Sequence, residues 1–172
     1  MRRIGITGGI GSGKSVVSRL LRIMGYSVYD TDSEAKRLME SSLEVVQKLS
    51  ECFGRDIYHN GRLNRGLLSS RVFGESDKIV LLNSIVHPVV RFDFYRWSES
   101  LNEEICFVES AILYESRFDE LVDEVWTVTA PEELRIGRVR QRSGLTEEEI
   151  KKRMAAQLSE EEKQRRAAHI LS

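Results

Sequence analysis

Short apolar runs along the chain alternate with longer segments in which apolar residues recur at helical spacing. The pair Ile4 and Ile6 predicts a short buried strand, and a helix is predicted next from Val16, Val17, Leu20 and Leu21. Three further strands are predicted at Ser27–Asp30, Ile105–Glu109 and Val125–Val128. A strand, a glycine-rich loop, a helix and a second strand, in that order, are typical of an α/β fold with a parallel sheet flanked by helices.

Between the second and third predicted strands the pattern is helical, from about residue 33 to about residue 100. Its helices are predicted at a capping box formed by Ser41 and Glu44, at Leu67–Phe73, and in a segment that runs into His87-Pro88 and should end there. This insertion is too long for a plain crossover, so we expect a subdomain that holds a substrate. Arg65, His87 and Arg91 are its candidate polar residues, although a structural role beside a helix starting at Pro88 is the better explanation for His87 alone.

A helix-turn-helix is predicted near the end of the chain, from about residue 135 to about residue 158. Pro131 opens its first helix and Gly144 ends it, and Thr146 with Glu149 forms a capping box for the second, which leads to Gln157. One face of the first helix carries Arg135, Arg138 and Arg142, whereas Arg140 lies on another face. Such a stripe suits either the clamping of phosphates by a lid or a solvated basic surface.

The strongest single motif is the stretch from Gly8 to Ser15, which matches the phosphate-loop pattern G-x-x-x-x-G-K-[ST]. Backbone N–H groups wrap a triphosphate in such a loop, and the helix that follows points its positive dipole end at the anion. Lys14 adds a charge for the β- and γ-phosphates, and Ser15 offers a hydroxyl to Mg²⁺. The alternative, a glycine-rich turn with an incidental lysine, fits the flanking strand and helix less well.

Acidic residues end two of the predicted strands, and carboxyl ends of parallel strands meet at the ligand-binding edge of a sheet. Asp30 and Asp32 follow the second strand, where Asp32 is either part of the site or the cap of a helix beginning at Ser33. Glu109 ends the third strand, where it either lies near Mg²⁺ or caps a helix. We therefore expect the carboxylates and the phosphate loop on one rim.

Composition is that of an ordinary globular protein and narrows the class of partner. The chain has 172 residues, with 26 Lys and Arg against 27 Asp and Glu, for a net charge of −1. This balance predicts neither nucleic acid nor a membrane surface as a partner, and no obligate protein partner is evident. Two distant cysteines and the lack of a long apolar segment predict a soluble, cytoplasmic protein with reduced thiols.

With these residues assembled, the sequence resembles the dephospho-coenzyme A kinase family over nearly its whole length. The matching stretches are Gly5 to Ser15, Asp30-Thr31-Asp32, Asn83 to Pro88, Gly144 to Glu148, and Ala155-Ala156-Gln157. The resemblance implies a single P-loop kinase domain over 1–172, with a helical substrate-binding insertion and a helical lid. It implies ATP as co-substrate with Mg²⁺, and the ribose 3′-hydroxyl of dephospho-coenzyme A as the acceptor.

Together the motifs and the resemblance assign candidate roles to individual residues. The expected catalytic residues are Lys14, Asp32, Arg138 and Arg142. The nucleotide is expected on Gly8, Gly11, Ser12, Gly13, Lys14, Ser15 and Val16. The acceptor is expected on Thr7, Asp32, Arg65, His87 and Gln157, and the metal on Ser15 and Glu109.

The chain departs from the family pattern at three places. Where the family usually has Asp-x-Pro-Leu-Leu-Phe-Glu, this chain has the run from Glu109 to Glu115, which keeps the acid but lacks the proline. Val16 replaces a usual threonine. The family pattern continues beyond Ile170 into a further strand and a turn expected near adenine, whereas this sequence stops at Ser172, as a truncated chain would.

Three other classes of function remain to be separated from this one. Another small-molecule kinase of the same fold would share the phosphate loop, the carboxylate and the arginine lid. A regulatory GTPase is unsupported, because the chain has no Asn-Lys-x-Asp stretch and no Asp followed by x-x-Gly. An ATP-dependent scaffold without chemistry leaves no motif of its own, and only turnover of dephospho-coenzyme A separates it from a kinase.

Overall fold

Seven β-strands and eight α-helices make up the protein in the computed structural model, which describes residues 1–172. The strands are β1 (Arg2–Thr7), β2 (Ser27–Asp30), β3 (Tyr58–His59), β4 (Arg62–Leu63), β5 (Ile105–Glu109), β6 (Glu124–Val128) and β7 (His169–Leu171). The helices are α1 (Lys14–Ile23), α2 (Thr31–Ser41), α3 (Leu43–Phe53), α4 (Arg65–Val72), α5 (Ser76–Ser100), α6 (Glu132–Ser143), α7 (Glu147–Ala155) and α8 (Glu160–Arg166). The chain divides into two units, Met1–Asp30 with Ser98–Ser172, and Thr31–Trp97.

The first unit is built on a parallel sheet of five strands in the order β2-β5-β1-β6-β7. Strand β1 is central, because it pairs with β5 on one side and with β6 on the other. Parallel sheets are covered on both faces, which explains why the consecutive residues Cys106, Phe107 and Val108 of β5 are all buried. One core cluster consists of Ile4, Ile6, Leu21, Phe107 and Val128. The predicted α/β class with a parallel sheet flanked by helices is confirmed.

The strand predictions differ from the structure at the chain terminus and in the helical region, where the hairpin of β3 and β4 was not predicted. Strands β2 and β5 have the predicted bounds, and β6 begins one residue earlier than predicted, at Glu124. Strand β7 was not predicted, because it has only three residues and lies at the sheet edge, where His169 and Ile170 remain exposed. Its pairing with β6 is parallel, with Ile170 opposite Thr127.

Helices of the first unit begin and end where capping chemistry predicts. Helix α6 starts after Pro131 and ends at Gly144, which adopts the left-handed conformation that favours glycine. At α7 the capping box is complete: the Thr146 hydroxyl accepts from the Glu149 N–H, and the Glu149 carboxylate accepts from the Thr146 N–H. The apolar face predicted for α1 is only partly buried, because Val16 is 61% exposed and Leu20 55% exposed.

The second unit is helical, apart from the hairpin formed by β3 and β4. It covers most of the range in which the insertion was predicted. The predicted capping box is displaced by one residue: Ser42, not Ser41, is the N-cap of α3, and its hydroxyl accepts from the Val45 N–H. Helix α2 extends through Ser41, which places that residue inside a helix and leaves Ser42 at the junction. Gly54 ends α3 as expected.

Helix α5 contradicts the prediction that a helix ends at His87-Pro88. It runs through both residues without interruption for 25 residues, with Pro88 in its interior. A proline there removes one backbone donor, yet burial of Val86, Val90 and Phe94 on both sides of it stabilises the continuous helix. His87 therefore has no role at a helix start. None of the helices combines the length and the apolar character that crossing a bilayer requires.

Candidate active site

The phosphate loop joins the end of β1 to the start of α1, as the motif requires. Gly8 has a φ of 144°, and a Cβ there would overlap the carbonyl oxygen of Val128 on β6. Gly13 has a φ of 109° and forms the left-handed N-cap of α1. The loop can therefore pass close to the sheet at Gly8 and take a left-handed turn at Gly13 only because these positions lack side chains.

Lys14 is the first residue of α1, and its side chain folds back over the loop. The residue is buried, and its ammonium donates to the carbonyl of Gly8 at 2.8 Å and to that of Gly9 at 3.2 Å. Lysine carries three donors, so a phosphate oxygen can replace one of these carbonyls as the acceptor. The ammonium charge is then paired with the phosphate. The position places a positive charge inside the loop at the N-terminus of a helix, which is an anion-binding arrangement.

Ser15 and Glu109 meet at the carboxyl edge of the sheet. The Ser15 hydroxyl lies 3.3 Å from a carboxylate oxygen of Glu109, to which it donates. Strand pairing sets this geometry, because Glu109 lies opposite Ile6 on β1 and opposite Asp30 on β2. A hydroxyl and a carboxylate are hard oxygen donors of the type that Mg²⁺ prefers.

The structure contains no cluster of three or more His, Cys, Asp or Glu side chains suited to a metal. Mg²⁺ in phosphotransferases is usually held by one or two protein oxygens, together with substrate phosphates and water. The pair of Ser15 and Glu109 therefore fits Mg²⁺ delivered with a nucleotide, and does not fit a permanently bound metal.

Three other predicted residues of the loop region differ in their accessibility. The hydroxyls of Thr7 and Ser12 are buried and have no hydrogen-bond partner in the structure. Val16 exposes its side chain, and its backbone N–H donates to the Gly13 carbonyl at 2.9 Å. Any contact of Val16 with a nucleotide would thus be made at the start of α1, where backbone groups face the loop.

Two of the three predicted arginines on α6 contact the phosphate loop. Arg138 is exposed, and it donates to the carbonyls of Gly11 at 3.3 Å and Ser12 at 3.2 Å. Arg135 is buried and donates to the carbonyl of Ile10 at 3.1 Å. Arg142, in the last turn of the helix, is exposed. The solvated-surface explanation therefore fails for Arg135, which the sequence did not single out from its neighbours.

Gln157 follows α7 and also contacts the loop. Its side-chain oxygen accepts from the backbone N–H of Ile10 at 3.1 Å. The amide nitrogen remains the group that can donate to a substrate. An acceptor contact by Gln157 would thus be made beside the tip of the phosphate loop.

A buried lysine on α8 contacts the segment after β5, and the sequence did not predict it. Lys163 on α8 has no exposed surface, and its ammonium donates to the carbonyl of Ala111 at 3.1 Å and lies 4.0 Å from a carboxylate oxygen of Glu115. Burial lowers the pKa of Lys163. Glu115 in turn accepts from the Leu158 N–H at 2.7 Å. The run Glu-Glu-Glu-Lys-Gln-Arg-Arg predicts a solvated helix, so no sequence signal marked this residue.

Asp32, Arg65 and His87 belong to the helical unit. Asp32 is exposed and lies in the first turn of α2, which begins at Thr31. The alternative that it caps a helix starting at Ser33 is therefore wrong. A carboxylate in the first turn still interacts favourably with the helix dipole. Arg65 begins α4 and lies 3.4 Å from a carboxylate oxygen of Glu40. Burial, followed by the charge of Arg91, lowers the pKa of His87.

Comparison with known proteins gives a consistent set of relatives. A model of the dephospho-CoA kinase family matches residues 2–172. The dephospho-CoA kinase of Porphyromonas gingivalis is 45% identical over 161 residues, which cover 94% of this chain and 80% of that protein. A crystal structure from Thermus thermophilus superposes with a TM-score of 0.84 at 38% identity, covering 98% of this chain and 86% of that one. Dephospho-CoA kinase from Campylobacter jejuni superposes with a TM-score of 0.73 at 25% identity, covering 99% and 88%.

Proposed function

The chain belongs to the dephospho-CoA kinase family, and we propose from this membership how its residues divide the reaction. The enzyme uses ATP to phosphorylate the ribose 3′-hydroxyl of dephospho-coenzyme A, which yields coenzyme A and ADP. In this transfer the bond from the γ-phosphorus to its bridging oxygen breaks, and a bond to the 3′-oxygen forms. Phosphoryl transfer depends mainly on positioning and on charge stabilisation.

The ATP phosphates bind along the loop from Gly8 to Ser15. The observation that carries this assignment is the ammonium of Lys14, which is held inside the loop by two carbonyls at the N-terminus of α1. In this proposal Lys14 faces the β- and γ-phosphates, and the backbone N–H groups of Gly11 and Gly13 donate to the same oxygens. Val16 and Ser12 complete the nucleotide contacts.

Arg138 is the lid arginine nearest to the phosphates in this proposal. It is exposed and already donates to two loop carbonyls, so a rotation of its side chain brings the guanidinium to a phosphate oxygen. Arg142 joins it from the last turn of the same helix. A guanidinium binds phosphate in a bidentate fork, which stabilises charge as it develops in transfer.

Ser15 and Glu109 would hold Mg²⁺, because their side chains offer a hydroxyl and a carboxylate oxygen at the carboxyl edge of the sheet. The 3.3 Å separation of the two side-chain oxygens supports this assignment. When bound, the metal neutralises charge on the β- and γ-phosphates.

The binding of the acceptor is assigned to Asp32 and to four other residues that the resemblance to the family indicates. Asp32 orients the 3′-hydroxyl and takes its proton as the new bond forms. Its exposed position in the first turn of α2 supports a carboxylate that is accessible to a substrate. Thr7, Arg65, His87 and Gln157 are proposed to hold the rest of dephospho-coenzyme A.

A substrate comparison tests this function directly. The purified protein is assayed with ATP and Mg²⁺ and with dephospho-coenzyme A, shikimate or gluconate as acceptor, and coenzyme A is identified by mass. We expect turnover with dephospho-coenzyme A that exceeds the other two by at least about 10⁴-fold in kcat/KM, because unmatched polar groups in a site reject a wrong acceptor strongly. Turnover of shikimate or gluconate without turnover of dephospho-coenzyme A would contradict the assignment.

A further inference from the structure

Both backbone polar groups of Ile10, in the phosphate loop, are held by side chains from outside the loop. The N–H of Ile10 donates to Gln157 Oε1 at 3.1 Å, and the carbonyl of Ile10 accepts from Arg135 Nε at 3.1 Å. Loop residues usually satisfy their backbone groups with neighbours in the chain or with water. Here the two partners lie more than a hundred positions away, on α6 and just after α7.

The Arg135 side chain is held in this position by burial and by a charge partner. The residue is 4% exposed, and Arg135 Nη1 lies 3.5 Å from Glu160 Oε1 on α8. A Cβ at Gly9 would overlap both Arg135 Nη2 and Glu160 Oε1. A buried guanidinium is costly unless its charge and its donors are paired, so this side chain is fixed by its partners.

Arg138 provides the contrast on the same helix. It also donates to loop carbonyls, yet it is exposed, so water can replace the loop carbonyls when the side chain turns toward a ligand. Arg135 cannot do this without leaving Glu160 and the Ile10 carbonyl unpaired. The two arginines therefore divide into a movable one and a fixed one.

We propose that Arg135 is a positioning residue for phosphotransfer, and that with Gln157 it clamps the two peptide groups on either side of Ile10 so that the phosphate loop is already shaped for ATP. The proposal rests on the assignment of ATP to this loop. Preorganised N–H groups bind phosphate without first ordering the chain, so a site of this kind gains affinity from rigidity. Without these two hydrogen bonds the backbone at Ile10 can rotate. The N–H groups of the loop would then no longer point toward the anion.

The test measures ATP binding directly by calorimetry in the absence of any acceptor. The main variant is Arg135→Met with Glu160→Gln, because removing both charges leaves no unpaired ion. We expect its Kd for ATP to rise about tenfold, because the loop loses a hydrogen bond that orders it for binding. One net hydrogen bond corresponds to about that factor in affinity. Gln157→Leu removes the opposite side of the clamp and should raise the Kd for ATP about fivefold or more.

Two controls separate positioning from general stability. Arg140→Met changes an exposed arginine of the same helix and should leave the Kd for ATP within about twofold of wild type. Glu160→Gln alone removes the charge partner but keeps both hydrogen bonds to Ile10, so its melting temperature should fall while ATP affinity is nearly kept. The KM for dephospho-coenzyme A should change little in the double variant, in Glu160→Gln and in Arg140→Met, none of which alters a residue assigned to the acceptor.

Each outcome decides the proposal. A folded double variant with a wild-type Kd for ATP overturns it, and so does Glu160→Gln alone if it weakens ATP as much as the double variant. If the double variant fails to fold, an unchanged Kd in Gln157→Leu overturns it equally. Failure of the proposed function is a different result: the wild-type protein would then bind ATP but leave dephospho-coenzyme A unphosphorylated.

Discussion

At the residue scale, Lys14 is the residue whose charge we propose stabilises the transition state most strongly. Its ammonium is buried among loop carbonyls, so in the substrate complex it acts in a site from which water is largely excluded. Charges in such sites stabilise a transition state more strongly than charges in water do. The same reasoning does not apply to exposed Asp32, for which we propose a role in orientation and basicity.

For Lys14→Ala we expect kcat to fall by about 10³-fold or more, because the charge facing the transferring phosphoryl is removed. The measurement is turnover of dephospho-coenzyme A at saturating ATP, with circular dichroism to confirm folding. Residual turnover within about tenfold of wild type would contradict the ATP pose proposed here.

For Asp32→Asn we expect kcat to fall by roughly 10²-fold or more, while the Kd for ATP and the melting temperature stay close to wild type. Asparagine keeps the shape of the side chain and can still accept a hydrogen bond, but it loses charge and basicity. Asp32→Ala should be at least as damaging. Near wild-type turnover in a folded Asp32→Asn enzyme would remove Asp32 from the catalytic residues.

At the scale of the element, α6 contacts the phosphate loop along its buried side and exposes the remainder. Arg135 and Val139 are buried one turn apart, whereas Arg140 and Arg142 in the last turn are exposed. A contact with ligand from the last turn therefore depends on which exposed side chain points toward the loop. Charge alone does not distinguish these arginines.

Arg142→Lys should lower kcat by about tenfold or more, and Arg140→Lys should leave it nearly unchanged. Lysine keeps the charge but cannot form the bidentate fork on a phosphate. Both variants change an exposed arginine in one helix turn, so each serves as the other's control. The reverse ranking in steady-state kinetics would show that the lid contact has been assigned to the wrong side of α6.

Gly137→Ala should stabilise the protein by about 0.5–1 kcal/mol, because glycine inside a helix loses more backbone entropy than alanine on folding. Gly137 lies within α6, and a Cβ there meets nothing within 4 Å. Thermal unfolding should show a melting temperature about 1–4 °C higher, with kcat unchanged. A lower melting temperature would mean that the surface of α6 at this position is not open.

At the scale of the whole molecule, the half-buried Tyr58 and the buried Tyr114 make alkaline pH a test of the fold. Burial raises the pKa of Tyr58 to about 12 and that of Tyr114 to about 12. A group whose pKa is higher in the folded state stabilises that state below the unfolded value of 10.0, and this contribution is lost as pH rises through about 12. Lys163, whose pKa burial lowers, acts in the opposite direction.

Tyr114→Phe isolates one of these contributions. The Tyr114 hydroxyl is buried and has no hydrogen-bond partner, so its removal should leave the melting temperature at pH 7 equal or higher. Between pH 10 and 12 the variant should lose stability less steeply than wild type. Tyr95→Phe, at an exposed position, should follow the wild-type curve. Parallel curves for Tyr114→Phe and wild type would contradict the buried position of this hydroxyl.

The sequence predicted the core of this fold because its signals are local. An apolar run before Gly8-to-Ser15 and a carboxylate after Val108 suffice to indicate strands, the phosphate loop and an acidic edge. The order of the strands follows from pairings such as Ser27 with Cys106, which no local pattern contains.

The sequence did not mark the buried arginine for a related reason. Arg135, Arg138 and Arg142 share one face of α6, and charged residues are normally exposed. Only the contacts of Arg135 with Ile10 and Glu160 distinguish it from the other two. Pro88 misled the helix prediction because its local penalty is offset by tertiary burial along α5.

The central place of β1 in the sheet has a consequence for synthesis on the ribosome. Its partners on both sides, β5 and β6, are made roughly a hundred residues after it, so the phosphate-loop strand must wait unpaired while the helical segment emerges. An exposed apolar strand is a site for wrong pairing. The nascent chain is therefore most vulnerable to aggregation and to capture by chaperones in the interval before Ile105–Glu109 has left the exit tunnel.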